Sequence, residues 1–329
     1  MTKIDLALKN LLDNHLILNQ SEIEQASKSH TYVRDLLANK WKNDNTFPRL
    51  TSGDFLSGSY RRGTKIHPLD DVDILMVIDG SGLFVTNYGQ VVDAEVRGDG
   101  LDVNPVLQHL GNDGLLSSRK VLDLFHLALK QSHPESIIRR DGQAVNLWLG
   151  SYDMGIDVVP CFHVVPRNGS QDHYYIPKGG DDCQWILTNP KIDERITDSL
   201  HKMHNDYLKG LIRIVKYWNV VFNQSRVRSY HLETVVWYVF GNAAPILDYE
   251  NALIYFFKNC YGHLANSCPD ATNLGGAVDS YIDISDRNIT LENIVKTVSI
   301  INNGYMAGMA TEHKRLEAWE EILGNKFIY

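Results

Sequence analysis

Residues Ser57 to Ile78 read SGSYRRGTKIHPLDDVDILMVI, and no other stretch of the chain packs so much chemistry into so few positions. Asp71 and Asp73 stand two positions apart at the head of the hydrophobic run DILMVI, where acids are usually avoided. Strand side chains alternate faces, so Asp71 and Asp73 share one face and Asp70 is expected on the other. Two carboxylates on one face repel each other and resist burial, and a bound divalent cation relieves both problems. Upstream, Gly58-Ser59 falls where the strand FLS is expected to turn into a short helix. Glycine there lets backbone come close to a ligand, and free amides with the Ser59 hydroxyl suit a phosphate. Arg61, Arg62 and Lys65 add positive charge beside it. The order is a phosphate cradle followed by a metal-binding acid pair. Asp-x-Asp alone would read as acids capping a strand, and the whole ordered set is what favours chemistry.

A two-metal site needs a third carboxylate. Asp93, Asp102, Asp153 and Asp157 are available, and Asp157 is the best placed, because GIDVVPCF embeds it among Ile156, Val158 and Val159. An acid inside such a strand needs a partner, which a metal would supply.

The elements that must position these residues follow from periodicity. Ile4, Leu8, Leu11, Leu12 and Leu16 have helical spacing, and SEIE at Ser21 to Glu24 reads as a capping box opening a second helix to about Trp41. DILMVI, AVNLWLG and MGIDVVPCF read as strands, with SSRKVLDLFHLALKQS a helix between them and Asp141-Gly142 a tight hairpin turn. Beyond residue 190, ERITDSLHKMHNDYLKGLIRIVKYWNVV, SYHLETVVWYVFG, LDYENALIYFFKNCYGHL and the stretch from Thr290 all read as helical. The expected fold class is α+β. A sheet lobe with N-terminal helices spans residues 1–190, a helical lobe spans 191–329, and the cleft between them is the expected ligand site.

The composition agrees with an ordinary globular protein: 329 residues, 43% hydrophobic and 22% charged. A net charge of -8 argues against nucleic-acid binding, which needs a broad excess of Lys and Arg, while leaving small anionic ligands open. No run of eighteen apolar residues suggests a membrane span, and the N-terminus lacks a signal-peptide core. Cys161, Cys183, Cys260 and Cys268 form no CxxC pair, so a reducing cytoplasm is expected. Cys260, His263 and Cys268 lack a fourth ligand at matching spacing, so buried thiols are the simpler reading. Trp185 and Trp218 read as core, and His231 and Glu233 are undecided.

GSYRRGTKIHPLDDVDILMVI resembles the signature of the polymerase-beta-like nucleotidyltransferases, and within them is most similar to the bacterial cGAS/DncV-like nucleotidyltransferases, or CD-NTases. GIDVVPCF resembles the family's third-aspartate strand, YYIPKGGDDCQWILTNP the segment after it, and LKGLIRIVKYWN and SYHLETVVW two helices of its second lobe. The likeness covers roughly residues 50 to 240. It implies a bilobed polymerase-beta-like enzyme in which Asp71, Asp73 and Asp157 hold two magnesium ions, with manganese as the alternative. Ser59 and the Gly58 backbone would contact the donor triphosphate, Lys216 and Ser229 its phosphates, and Tyr230 would stack on the donor base. The implied substrates are nucleoside triphosphates (ATP, or GTP or UTP), joined with release of pyrophosphate into a cyclic di- or trinucleotide. Such a product would serve a bacterial anti-phage (CBASS) pathway through a separate effector protein. Two alternatives stay open at this point: a related nucleotidyltransferase acting on RNA ends or a small molecule, and an inactive nucleotide-binding protein.

Overall fold

The computed structural model describes residues 2–86, 94–98, 103–164, 173–179, 183–306 and 311–329. Its helices are α1 (Lys3–Leu11), α2 (Gln20–Asn43), α3 (Gly58–Arg62), α4 (Pro105–Gln108), α5 (Ser118–Ser132), α6 (Pro190–Met203), α7 (Leu208–Val221), α8 (Ser229–Phe240), α9 (Tyr249–Asn259), α10 (Tyr261–Ala265), α11 (Ile284–Gly304) and α12 (Glu312–Leu323). The strands are β1 (Phe55–Ser57), β2 (Asp71–Ile78), β3 (Leu83–Val85), β4 (Ala94–Gly98), β5 (Gly111–Asn112), β6 (Leu115–Leu116), β7 (Ile137–Asp141), β8 (Ala144–Leu149), β9 (Met154–Val164), β10 (His173–Pro177) and β11 (Gln184–Thr188). The strands run in the order β1-β2-β9-β10-β11-β4-β6-β5, with β3 on β4 and the β7–β8 hairpin joined to β9 through β8. β2 and β9 pair in parallel, whereas β1, β8 and β10 lie antiparallel to their neighbours. The class is α+β, as the sequence predicts.

β2 is buried on both faces, which explains its unbroken hydrophobic run. Val72, Ile74, Met76 and Ile78 join Ala26, Val33 and Leu37 of α2 and Val121, Phe125 and Leu129 of α5 in the sheet lobe's main core. Leu75 and Val77 face the other way, into a small cluster with Val159, Cys161 and Tyr174. Asp71 and Asp73 continue that odd-numbered face toward the start of β2, and Asp157 continues it on β9. The acids therefore occupy the polar end of a face whose other end is packed.

The second core is made by α7 to α12, with Trp218, Trp319, Phe256 and Leu253 all fully buried. α1 belongs to this core and not to the sheet: Ile4, Leu8 and Leu11 are fully buried within it. Each of those side chains stabilises the packing by roughly 2 kcal/mol. The sequence-read division at residue 190 places both N-terminal helices with the sheet lobe, but only α2 packs there. Helical spacing shows that a face will be covered; it carries no information about which lobe covers it.

Local signals also shift. The capping box is Asn19 with Glu22, two positions before SEIE: Asn19 Oδ1 accepts the Glu22 N–H and Glu22 Oε2 accepts the Asn19 N–H, both at 2.9 Å. Glu22 Oε1 also accepts the Leu69 N–H at 3.0 Å, tying the helix start to the approach to β2. The helical stretch after residue 190 breaks between α6 and α7, where Asn205 and Asp206 take φ of 52° and 63° and the Asn205 amide donates to the Ile246 carbonyl. α11 starts at Ile284, ahead of Thr290, because Asp283 caps it through the Asp286 N–H. The β7–β8 hairpin forms where expected, with Asp141 pairing to Ala144 and Gly142 at φ 54°.

Candidate active site

β1 brings Ser57 opposite Asp73, and α3 begins at the next residue. Gly58 has φ 67°, a backbone setting that side chains resist. A Cβ on Gly58 would lie 1.7 Å from Asp73 Oδ2, so only glycine lets the turn rest against that carboxylate. α3 is a single turn closed by Gly63 at φ 67°, and the Ser59 carbonyl accepts the N–H groups of Thr64 and Lys65. That closure sends Lys65 back toward the strand, where its ammonium donates to Asp71 Oδ1 at 2.8 Å and also pairs with Asp70. Asp70 is thus not turned away from its neighbour. It precedes β2, and the alternation of faces applies only once the strand has begun.

The parallel register sets Asp73 directly beside Asp157, and Asp157 Oδ1 accepts the Asn146 side-chain amide at 2.7 Å from β8. Burial, then the nearby Asp71 and Asp157 charges, pushes the Asp73 carboxyl up to about 7 despite Arg62 and Lys65. Burial raises Asp157 as well, against the Asn146 hydrogen bond, with Asp71 adding to the rise. Burial opposes the Lys65 cation, yet Asp71 and Asp70 more than reverse it and hold the ammonium above its ordinary value. Asp153 lies in the exposed turn before β9 at φ 51°, and Asp93 and Asp102 fall outside the described residues. Three carboxylates against one ammonium leave excess negative charge at this spot, and the oxygen-only donor set suits a hard divalent cation such as magnesium or manganese. Among the described residues no three acidic, histidine or cysteine side chains are closed up for a metal as they stand. Asp71 is engaged by Lys65 and Asp157 by Asn146, so those two contacts stand between the acids and a shared ion.

Asp71 and Asp73 open on a cavity of about 350 Å³ between the lobes, which Gly58 and Ser59 line on the same side and Ser229 and Tyr230 on the other, whereas Asp157 is not part of its lining. Ser229 is exposed at the first position of α8, and Tyr230 follows it half-buried.

The profile of the Second Messenger Oligonucleotide or Dinucleotide Synthetase domain matches residues 1–96, which hold the Gly-Ser turn, Asp71 and Asp73. A probable cyclic nucleotide synthase of Bacillus cereus (strain VD146) is 30% identical over 334 residues, covering 98% of this chain and 96% of that protein. The chain is a CD-NTase. A cyclic AMP-AMP-AMP synthase of an Acinetobacter species is 26% identical over 316 residues, covering 93% of this chain and 80% of that one. Solved structures of CdnC from E. coli MS115-1, one with ATP and one in complex with HORMA-deltaN, share the fold at TM-scores of 0.71 and 0.70. Their sequences are 14% and 15% identical, and each comparison covers 98% of both chains. As a CD-NTase the protein is a nucleotidyltransferase, and the alternative of an inactive relative falls away.

At the cavity wall this CD-NTase carries a buried charge network centred on Glu233, which the sequence left undecided. Glu233, fully buried on α8, accepts Arg62 at 2.9 and 3.3 Å, the Lys216 ammonium at 2.6 Å and the Thr64 hydroxyl at 3.0 Å. Burial works against the Glu233 charge, and Lys216 and Arg62 outweigh it, holding the carboxyl down at about 2. Lys216 does not line the cavity. It is 4% exposed, spends its other bond on the Thr64 carbonyl at 3.0 Å, and burial lowers its pKa despite Glu233. The resemblance implies that Lys216 reaches the donor phosphates; here it is turned onto Glu233 instead, a carboxylate on the next helix that a motif match does not reveal. The network joins α3, on the sheet lobe, to α7 and α8, so it fixes the Gly-Ser turn relative to the helical lobe. Trp185 and Trp218 are fully buried, as expected, with the Trp218 indole donating to Thr297 at 3.1 Å.

Proposed function

We propose that this CD-NTase joins nucleoside triphosphates, ATP first and GTP or UTP as alternatives, into a cyclic di- or trinucleotide with release of pyrophosphate. The observation that carries the reading is the Gly58 turn seated against Asp73 on the wall of an interlobe cavity, with Asp157 behind that wall in register beside Asp73. Ser59 and the Gly58 backbone hold the donor triphosphate, Ser229 contacts it from α8, and Tyr230 takes the base on its ring. Lys216 acts on the phosphates through Glu233 and Arg62 without touching them. In each transfer a 2′- or 3′-hydroxyl of the acceptor attacks the donor α-phosphorus in line. The new P–O bond forms as the bond to the β-phosphate oxygen breaks, and pyrophosphate leaves with the electron pair. Asp157 takes the hydroxyl proton. Two magnesium ions (or manganese) bound by Asp71, Asp73 and Asp157 would supply Lewis acidity toward the attacking hydroxyl and the leaving pyrophosphate.

Beyond Tyr230 the cavity continues into a second of about 330 Å³, and that continuity supports an acceptor nucleotide beside the donor. A second transfer then closes the ring. The product signals to a separate effector protein in a bacterial anti-phage (CBASS) pathway. The cytoplasm is the proposed compartment: Cys161, Cys260 and Cys268 are free thiols, and no helix among the described residues is long and apolar enough to cross a membrane.

The test is incubation with four labelled triphosphates and Mg²⁺, then phosphatase treatment and mass analysis. Phosphatase-resistant cyclic di- or trinucleotides formed without RNA are the expected result. Transfer only onto RNA or an aminoglycoside would overturn the reading.

A further inference from the structure

Tyr230 stands where the two cavities meet and lines both. Its hydroxyl oxygen lies 3.0 Å from Asp193 Oδ1 and 3.0 Å from Asp270 Oδ1. Asp193 comes from α6 and Asp270 from the segment after α10, so one phenol oxygen is gripped from two directions. The Arg62 guanidinium sits 5.6 Å from the ring centroid, and Trp237 meets the ring edge-on at 6.0 Å.

A phenol has one proton and donates one hydrogen bond, so two carboxylates at that distance require a second proton. Asp270 is already an acceptor throughout. Its Oδ1 takes the Thr272 N–H at 3.2 Å, and its Oδ2 takes the Gly275 N–H at 2.7 Å and the Thr272 hydroxyl. The phenol proton therefore points to Asp270, and the other contact is made when Asp193 brings its own proton and the phenol oxygen accepts it. Asp193 is suited to that part. Burial pushes its carboxyl up to about 6 against Arg62 and the Tyr230 bond, with Asp270 and Glu233 adding to the rise. Those four face it from α3, α8 and the Asp270 segment, and Arg228 and His231 of the α8 end line the same cavity.

We propose that Asp193 and Asp270 are positioning residues that hold the Tyr230 hydroxyl from two sides and so fix the ring as a rigid platform for a nucleobase. This rests on the reading that Tyr230 carries the base. A ring tethered at its far end cannot swing about its own side-chain torsions, so less conformational freedom is lost when a base settles on it.

The experiment measures the Kd of a non-hydrolysable ATP analogue with Mg²⁺ by calorimetry, at pH 5.5 and 7.5, with thermal midpoints as the folding control. Tyr230→Phe keeps the ring and removes the tether, and is expected to weaken binding roughly twofold to tenfold, the cost of ordering one side chain that the tether otherwise meets in advance. Asp193→Ala gives a smaller loss, because the bond to Asp270 remains, and the double variant is no worse than Tyr230→Phe alone, which has already lost the contact to Asp193. Asp193→Asn recovers most of the loss, since its amide donates to the phenol oxygen as a protonated carboxyl does. The ratio of wild-type to Asp193→Asn affinity falls about threefold or more from pH 5.5 to 7.5, a comparison that cancels titration of the nucleotide itself. Wild-type binding in Tyr230→Phe with a tenfold or greater loss in Tyr230→Ala would overturn the tether and leave the base platform standing. Undiminished binding in both would overturn the platform reading itself. Additive losses in the double variant, or a pH-independent ratio, would also overturn the tether.

Discussion

Gly58→Ala is the sharpest test of how the site is built. The added methyl would sit 1.7 Å from Asp73 Oδ2, well under the 3.0 Å that real Cβ atoms respect, so turn and carboxylate must part by more than an ångström. Alanine at φ 67° adds a backbone cost of about 1–2 kcal/mol. In a chain of this size each kcal/mol lowers the unfolding midpoint by about 2 °C, so a fall of roughly 2–4 °C is expected with the fold retained. The effect on chemistry is far larger. An ångström of misplacement at a reacting group costs on the order of a hundredfold, so conversion of labelled ATP should drop at least that much. Circular dichroism and a thermal melt measure the first effect, and single-turnover product formation measures the second. Activity within about threefold of wild type, with an unchanged midpoint, would refute the interlock of turn and acid.

Asp71→Asn with Asp73→Asn should abolish product, and Asp73→Asn alone, which keeps the Asp71–Lys65 pair, should leave the unfolding midpoint at pH 8 no lower than wild type. The Asp73 carboxyl is held up to about 7, so its ionised form opposes folding as pH rises from the ordinary carboxylate range toward that value, and an amide relieves the conflict. Undiminished turnover in the double variant would remove the metal assignment. Lys216→Ala leaves the fully buried Glu233 with only Arg62 and Thr64, a loss of about 3 kcal/mol that a denaturant titration reads directly. Unchanged stability with a raised KM for triphosphate would instead place the lysine on the substrate.

The sequence made the front of the site legible because its parts are local. A turn, three cations and two alternating acids fall within seventeen positions, and a strand forces the acids to one side. Asp157 was legible for a different reason, as a charge in a strand otherwise built to be buried. What no local pattern shows is pairing across the fold. Glu233 reads equally well as an exposed helix acid, since its partner Arg62 lies 171 positions away and Lys216 lies 17 away on another helix. Asp193 sits in the first turn of α6, where an acid is ordinary, and only its approach to Tyr230 sets it apart. The assignment of α1 to a lobe failed likewise: amphipathic spacing fixes which face is covered and leaves the covering partner open.

That placement of α1 has a consequence for how the protein is made. Its buried side chains pack against residues from Leu208 onward, about two hundred positions later in synthesis. At roughly 5–20 residues per second the ribosome needs on the order of ten to forty seconds to deliver those partners. A nine-residue helix is barely stable alone in water, so α1 leaves the exit tunnel as coil and waits with its apolar side chains uncovered. Meanwhile the sheet lobe, from α2 to β11, has all of its own core in hand. A segment synthesised some two hundred positions ahead of its partners is thus among the last to be folded, and it stays exposed to chaperones throughout that interval.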